Sequence, residues 1–177
     1  MDAQIFHWIY GCLHRPPWLL LMSGLTHLGS SKVVLTLAAL GFLEGVRVWG
    51  RPGSRRGAGR PAPWLGIGIA AAIAGGLKEA VSRPRPAEVY AALGLLAPDV
   101  QRSFPSGHAT MAFALATACS FRWPKGWFIW FGLAGLVAVS RVVLGVHWPS
   151  DVMGGALIGT GTVVLADWVG RRFRVSV

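Results

Sequence analysis

The chain has 177 residues, 53% of them hydrophobic and only 14% charged, with a mean hydropathy of +0.51. Those values exclude an ordinary soluble domain, and the apolar residues fall in blocks long enough for bilayer-spanning helices. The formal net charge of +10 would suggest nucleic acid in a soluble protein. Here most basic residues flank apolar blocks or sit in short polar motifs, so membrane lipids and phosphate-bearing substrates are the expected partners and nucleic acid is not.

The expected organisation is a single all-α membrane domain over residues 1–177. Residues 2–14 place Ile5, Trp8, Ile9, Cys12 and Leu13 at helical spacing with polar residues between them. That pattern predicts an amphipathic helix lying in the membrane interface. Pro16 and Pro17 break it, and residues 18–29 are apolar but too short to span. Residues 1–30 thus form an interfacial N-terminal segment. The start Met1-Asp2-Ala3-Gln4 carries no basic, signal-like stretch, so the first spanning helix is expected to direct insertion itself. Cys12 and Cys119 are not expected to form a disulfide, because Cys119 lies inside an apolar block.

Five spans follow, at about Ser31–Trp49, Ala62–Ser82, Pro105–Phe121, Gly126–Val146 and Ser150–Val169. Each is close to the ~20 residues needed to cross a hydrocarbon core. Residues 50–61 form a basic, turn-rich loop, residues 122–125 a tight basic turn, and the chain ends with Arg171, Arg172 and Arg174. Five spans put these regions on one side, with ten of the seventeen Lys and Arg residues once Arg47 is counted. An excess of this kind marks the cytoplasmic side. Glycines at Gly41 and Gly45, Gly75 and Gly76, and Gly155 and Gly159 suggest close helix packing. Glu44 and Arg47 are spaced to pair along one helix, and Asp167 lies near Arg171.

The rare polar residues gather in three motifs: Lys78-x6-Arg85-Pro86, Pro105-Ser106-Gly107-His108, and Ser140-Arg141-x5-His147-x3-Asp151. The expected topology carries all three to the face opposite the basic loops. Charged groups at membrane depth are costly and therefore functional candidates. Arg141 needs an anionic partner, either a bound phosphate or a structural acid such as Asp151. Lys78 taken alone reads first as a snorkelling interface lysine. Arg83 and Arg85 alternate with prolines that hold the segment extended, giving either an anion trap or a headgroup-binding interface cluster.

Ser106 and Gly107 open a helix whose free N–H groups and dipole favour an anion, although a plain helix cap would also explain them. His108 is placed to act as an acid. His147 and Asp151, four apart across a turn, fit a carboxylate-oriented nucleophile or a purely structural hydrogen bond. Metal chemistry is disfavoured because the motifs are rich in cations and poor in carboxylates, and no cysteine cluster or His-Glu-x-x-His is present. No cofactor is expected, and His7, His14 and His27 read as interfacial.

Together the three motifs resemble the signature of the type 2 phosphatidic acid phosphatase family of membrane lipid phosphatases, with every position present and in order across a catalytic core of residues 62–170. The resemblance implies a helix bundle of five to six spans. It also implies that His147 attacks phosphorus to form a phosphohistidine, that Asp151 orients it, and that His108 protonates the leaving oxygen. Lys78, Arg85, Ser106, Gly107 and Arg141 would bind the phosphoryl oxygens without metal. Arg83 and Arg102 lie outside the signature and are candidates for a second phosphate or a headgroup.

The implied activity is hydrolysis of a lipid phosphate or diphosphate, such as undecaprenyl diphosphate, phosphatidylglycerol phosphate or lipid A. It is expected at the outer, periplasmic face of a bacterial inner membrane, with residues 87–104 selecting the substrate. Transfer of the phosphoryl group to another lipid uses the same residues. A non-enzymatic lipid-binding or transport protein is the third reading, opposed by the intact His108, His147 and Asp151.

Overall fold

A computed structural model describes residues 1–49, 60–89 and 102–172. Every regular element among them is helical: α1 (Asp2–Leu13), α2 (Trp18–Thr26), α3 (Ser31–Trp49), α4 (Ala62–Ala80), α5 (Pro86–Val89), α6 (Gly107–Arg122), α7 (Trp127–Val143) and α8 (Pro149–Arg172). Short 3-10 turns occupy His27–Gly29 and Pro124–Gly126. The arginines at 51, 55, 56 and 174, and most of the expected substrate-selecting loop, lie outside the described residues.

Helix α6 is the centre of the bundle, with α8, α7 and α4 packed around it and α4 also against α8. Its sequence suits that place, since Ala109, Ala112, Ala114, Ala116 and Ala118 are all buried. Helix association in lipid lacks a hydrophobic drive, so close packing of small residues has to carry it. A side chain at Gly155 of α8 would come 2.6 Å from the Ser106 carbonyl oxygen, and one at Gly159 would come 2.9 Å from the Ala114 nitrogen. The two glycines therefore let α8 lie directly on the start of α6.

Among the described residues two segments are long and apolar enough to cross a membrane, Pro124–Val143 and Pro149–Arg172. The others are more polar or shorter: α3 carries Lys32, Glu44 and Arg47, α4 ends on Lys78 and Glu79, and α6 has 16 residues. Large apolar side chains such as Leu40, Leu65, Met153 and Leu157 remain exposed on the outside of the bundle. Exposed tryptophans cluster at its two ends, with Trp8 and Trp18 at one and Trp123, Trp127 and Trp168 at the other, as in interfacial aromatic belts.

At the latter end Asp167 is fully buried between Arg60 (2.9 Å) and Arg171 (2.7 Å). Glu44 reaches Arg122 across the α3–α6 crossing at 2.8 Å, where the sequence spacing suggested a local pair with Arg47. The tertiary partner lies on a neighbouring helix, which periodicity within α3 does not register.

Helix α1 also differs from its sequence pattern. Phe6, which is absent from the expected apolar face, is its fully buried residue and packs with Trp148, Ala109, Val142 and Val152. Ile5, Trp8 and Cys12 face outward.

Candidate active site

The motif residues collect at one end of the bundle because four helix termini meet there: the C-termini of α4 and α7 and the N-termini of α6 and α8. Three local features bring the termini into register. The Ser106 N–H donates to the Asp151 carbonyl (3.0 Å), which joins the starts of α6 and α8. Gly145 adopts φ 71° just after α7, a left-handed turn that glycine makes without strain, and His147 follows it. The indole of Trp148 donates to the Pro84 carbonyl (2.9 Å), anchoring the Arg83–Pro86 segment beside α8.

His147 is 2% exposed and Asp151 is fully buried. Nδ1 of His147 stands 3.7 Å from Oδ2 of Asp151, an electrostatic contact rather than a hydrogen bond, and has no hydrogen-bond partner of its own. The carboxylate of Asp151 is held by three other donors. Its Oδ2 accepts from the Trp148 N–H (2.9 Å) and the Ser103 hydroxyl, and its Oδ1 accepts from Arg83 (2.7 Å). The bond from Trp148 is the reach-back half of a capping box, and an acid in the first turn of α8 also suits the helix dipole. Burial pushes the His147 imidazole down to about 4, and the nearby Arg141 and Arg85 push the same way against the upward pull of Asp151. His147 is therefore a neutral imidazole at neutral pH.

Around this pair stand the cations. Arg85 is buried, and Lys78 lies within electrostatic reach of both Arg85 and Arg141. The Lys78 Cε atom would be 3.8 Å from a side chain at Gly107, so the lysine sits over the start of α6. Lys78 donates to the Arg102 carbonyl at 3.4 Å, and Arg141 donates to the Thr26 hydroxyl at 2.7 Å. Among the described residues no carboxylate forms an ion pair with Lys78 or Arg141. The Nε of Arg141 and the hydroxyl oxygen of Ser106 are buried without a hydrogen-bond partner. Ser106 makes no side-chain cap to α6, so the helix N-terminus stays open beside the cations. His108 shares this neighbourhood with Arg141, His147 and Lys78.

A set of buried, under-satisfied donors with excess positive charge is built for an anion that brings several oxygens. A phosphoryl group meets that description. Among the described residues no group of three or more His, Cys, Asp and Glu side chains gathers to hold a metal ion.

The remaining candidates are committed to protein partners. Arg102 pairs with Glu79 (3.0 Å) and donates to the Lys78 carbonyl (3.3 Å), closing the end of α4. The Ser140 hydroxyl donates to the Val137 carbonyl of its own helix (2.6 Å). Arg83 is bound to Asp151, Ser150 and Asp2. Sequence reasoning passed over Asp2, Thr26, Ser103 and Trp148. Asp2, Thr26 and Ser103 reach their partners only through the tertiary fold and have no pattern of their own, whereas Trp148 lies inside the third motif and holds Asp151 by a local bond three residues along the chain.

Comparison with known proteins agrees with the helical fold and with the family that the motifs resemble. The family model of the PAP2 superfamily matches residues 63–174. Decaprenylphosphoryl-5-phosphoribose phosphatase of Mycobacterium tuberculosis is 35% identical over 161 residues, covering 88% of this chain and 82% of that protein. Among solved structures, Aquifex aeolicus LpxE superimposes with a TM-score of 0.78 at 29% identity, covering 94% of each chain. The PAP2-type phosphatidylglycerolphosphate phosphatase of Bacillus subtilis superimposes with a TM-score of 0.74 at 26% identity, covering 97% of this chain and 87% of that one. The chain belongs to the PAP2 superfamily. By class it is a membrane-associated lipid phosphatase, a hydrolase.

Proposed function

We propose that the chain removes the terminal phosphate from a long-chain lipid phosphate through a phosphohistidine on His147, without metal, at the outer face of a bacterial inner membrane. The observation that carries this reading is the pairing of a buried His147, its Nδ1 turned to Asp151, with a cationic pocket whose buried donors on Ser106 and Arg141 lack partners.

Nδ1 of His147 faces Asp151, which leaves Nε2 to attack phosphorus. The N–P bond forms as the P–O bond to the lipid breaks, and His108 supplies the proton that the leaving oxygen takes. A water then attacks phosphorus, His108 receives its proton, and the N–P bond breaks to release inorganic phosphate. Asp151 stabilises the imidazolium that forms during attack, and the 3.7 Å gap closes as positive charge develops on the ring. Lys78, Arg85, Arg141, Ser106 and the Gly107 N–H stabilise the equatorial oxygens. The donor set suits this role better than metal binding, because its one central carboxylate already accepts from Ser103, Trp148 and Arg83.

For the lipid end, an apolar cavity of about 560 Å³ lies between α3, α6 and α7, lined by Leu28, Ala112, Ala116, Cys119 and Ala134 among others. It begins one helical turn below His108 and follows α6 for roughly 16 Å. That shape suits a prenyl or acyl tail with its phosphate at the motifs. The name of the mycobacterial relative makes a polyprenyl-linked phosphosugar the first substrate to test, ahead of undecaprenyl diphosphate and phosphatidylglycerol phosphate. The proposed sidedness requires α3, α4, α6, α7 and α8 all to span, with the basic end in the cytoplasm.

The test is phosphate release by the purified protein in detergent with EDTA, across these lipids, with His147→Ala as the control. Release that survives EDTA and vanishes in the variant supports the reading. Release that needs added metal, or persists in the variant, overturns it. An organic phosphate appearing on added lipid in place of free phosphate would identify a transferase.

A further inference from the structure

Helix α1 lies outside the matched family region, yet its first residue enters the support of the active site. Asp2 accepts from the Ser150 N–H (3.0 Å), the Ser150 hydroxyl (2.5 Å) and Arg83 (2.5 Å). Arg83 turns its other terminal nitrogen to Asp151 (2.7 Å) and Ser150 (2.6 Å). The Arg83 guanidinium also stands 5.6 Å from the ring centre of Trp148, the residue whose N–H holds Asp151. Phe6 fixes the helix against that same indole, with ring centres 5.4 Å apart. From its far end, His14 bonds the Val143 carbonyl at 2.9 Å.

We propose that Asp2, Arg83 and Ser150 form a positioning relay that holds Asp151, and through it His147, in the orientation for attack, so that α1 is a working part of the active site. The proposal rests on the phosphohistidine reading given above.

Charge decides between this role and a headgroup contact for Arg83. One guanidinium shared between two carboxylates leaves the cluster net negative, which repels a phosphate. Both terminal nitrogens of Arg83 are already committed. Burial acts to raise the Asp2 carboxyl, and the bonds from Ser150 and Arg83 outweigh it and hold it below the usual carboxylate range. Asp2 is thus a charged anchor for Arg83 rather than a passive terminal residue.

The two roles predict opposite signs. In a relay, Asp2→Asn and Arg83→Gln each lower kcat by about ten- to a hundredfold, as small misplacement of reacting groups does, and leave KM nearly unchanged. The double variant is no worse than Arg83→Gln, and Arg83→Lys recovers part of the loss. If Arg83 instead binds the headgroup, Arg83→Gln raises KM at constant kcat. Asp2→Asn then lowers KM by freeing the guanidinium.

The experiment is steady-state phosphate release by the full-length chain in detergent, on whichever lipid the wild type hydrolyses, with His147→Ala as zero and thermal unfolding confirming that each variant is folded. Either KM result, or an unchanged kcat in Asp2→Asn, overturns the relay. Should the wild type release no phosphate at all, the functional reading has failed separately. Histidine NMR on the same preparations then decides the relay without turnover: Arg83→Gln raises the His147 titration if the two are coupled, and an unmoved titration overturns it.

Discussion

Asp151 stands 3.7 Å from Nδ1 of His147 while Ser103, Trp148 and Arg83 hold its carboxylate in place. The acid is thus fixed before substrate arrives, and the imidazole is the member of the pair left to adjust. Asp151→Asn keeps the volume but removes the charge that stabilises an imidazolium. Its expected effect is a fall in kcat of roughly a thousandfold or more with folding retained, by analogy with carboxylate loss in other His-based sites. Single-turnover phosphate release locates the defect. A loss in formation of the covalent intermediate fits the role, and a loss only in binding does not.

The acid limb of activity should lie unusually low. The nucleophile must be neutral, and burial pushes His147 down to about 4 from an ordinary 6.5. The kcat/KM profile, which reports the free enzyme, should therefore lose no activity to His147 protonation until the pH approaches 4. Stability carries the matching sign. Between pH 6.5 and 4 the unfolded chain binds a proton that the folded chain refuses, so folding weakens as pH falls through that window and is unaffected above it. Thermal unfolding at pH 7.5 and pH 5 checks this, with His147→Gln expected to lose less on acidification than the wild type.

The long apolar blocks, the order of the helices and the meeting of four helix ends follow from the sequence because each rests on local runs and chain direction. Lys78, Ser106, Arg141 and His147 sit at predicted helix boundaries, so an alternating up-and-down bundle carries them to one end. Other features depend on residues distant in the chain. Asp2 meets Ser150, Thr26 meets Arg141, and Glu44 chooses Arg122 over its helical neighbour Arg47. No periodicity encodes those pairs. Phe6 was obscured for a related reason: a helix with lipid on one side and protein on the other carries apolar residues on both.

The contact of α8 with α6 sets the position of Ser106. Gly155 faces the Ser106 carbonyl so closely that even a methyl group there would stand 2.6 Å from it. Gly155→Leu should force the helices apart, cost about 1–3 kcal/mol of stability, and displace the open N-terminus of α6 from the phosphate. Thermal unfolding in detergent together with KM for the lipid substrate tests this. A matched substitution at Gly161, where nothing lies within 4 Å, should leave both nearly unchanged. Equal effects at the two positions would mean that close α6–α8 packing does not shape the site.

The apolar cavity separates recognition of the lipid tail from chemistry at its phosphate. Ala116 lines it two helical turns below His108 and makes none of the motif contacts. Ala116→Phe fills part of the space without touching the cations. If the tail lies there, KM for a long-chain lipid phosphate should rise by about tenfold, since several buried methylenes at about 0.8 kcal/mol each lose their place. Hydrolysis of a short-chain analogue, whose tail ends above Ala116, should keep its kcat and KM. The comparison must be made at equal detergent, because both substrates partition into micelles. A long-chain KM that does not move, with the variant folded, would place the tail on the outer surface of the bundle, along exposed residues such as Met153 and Leu157, and the cavity would then have no part in substrate choice.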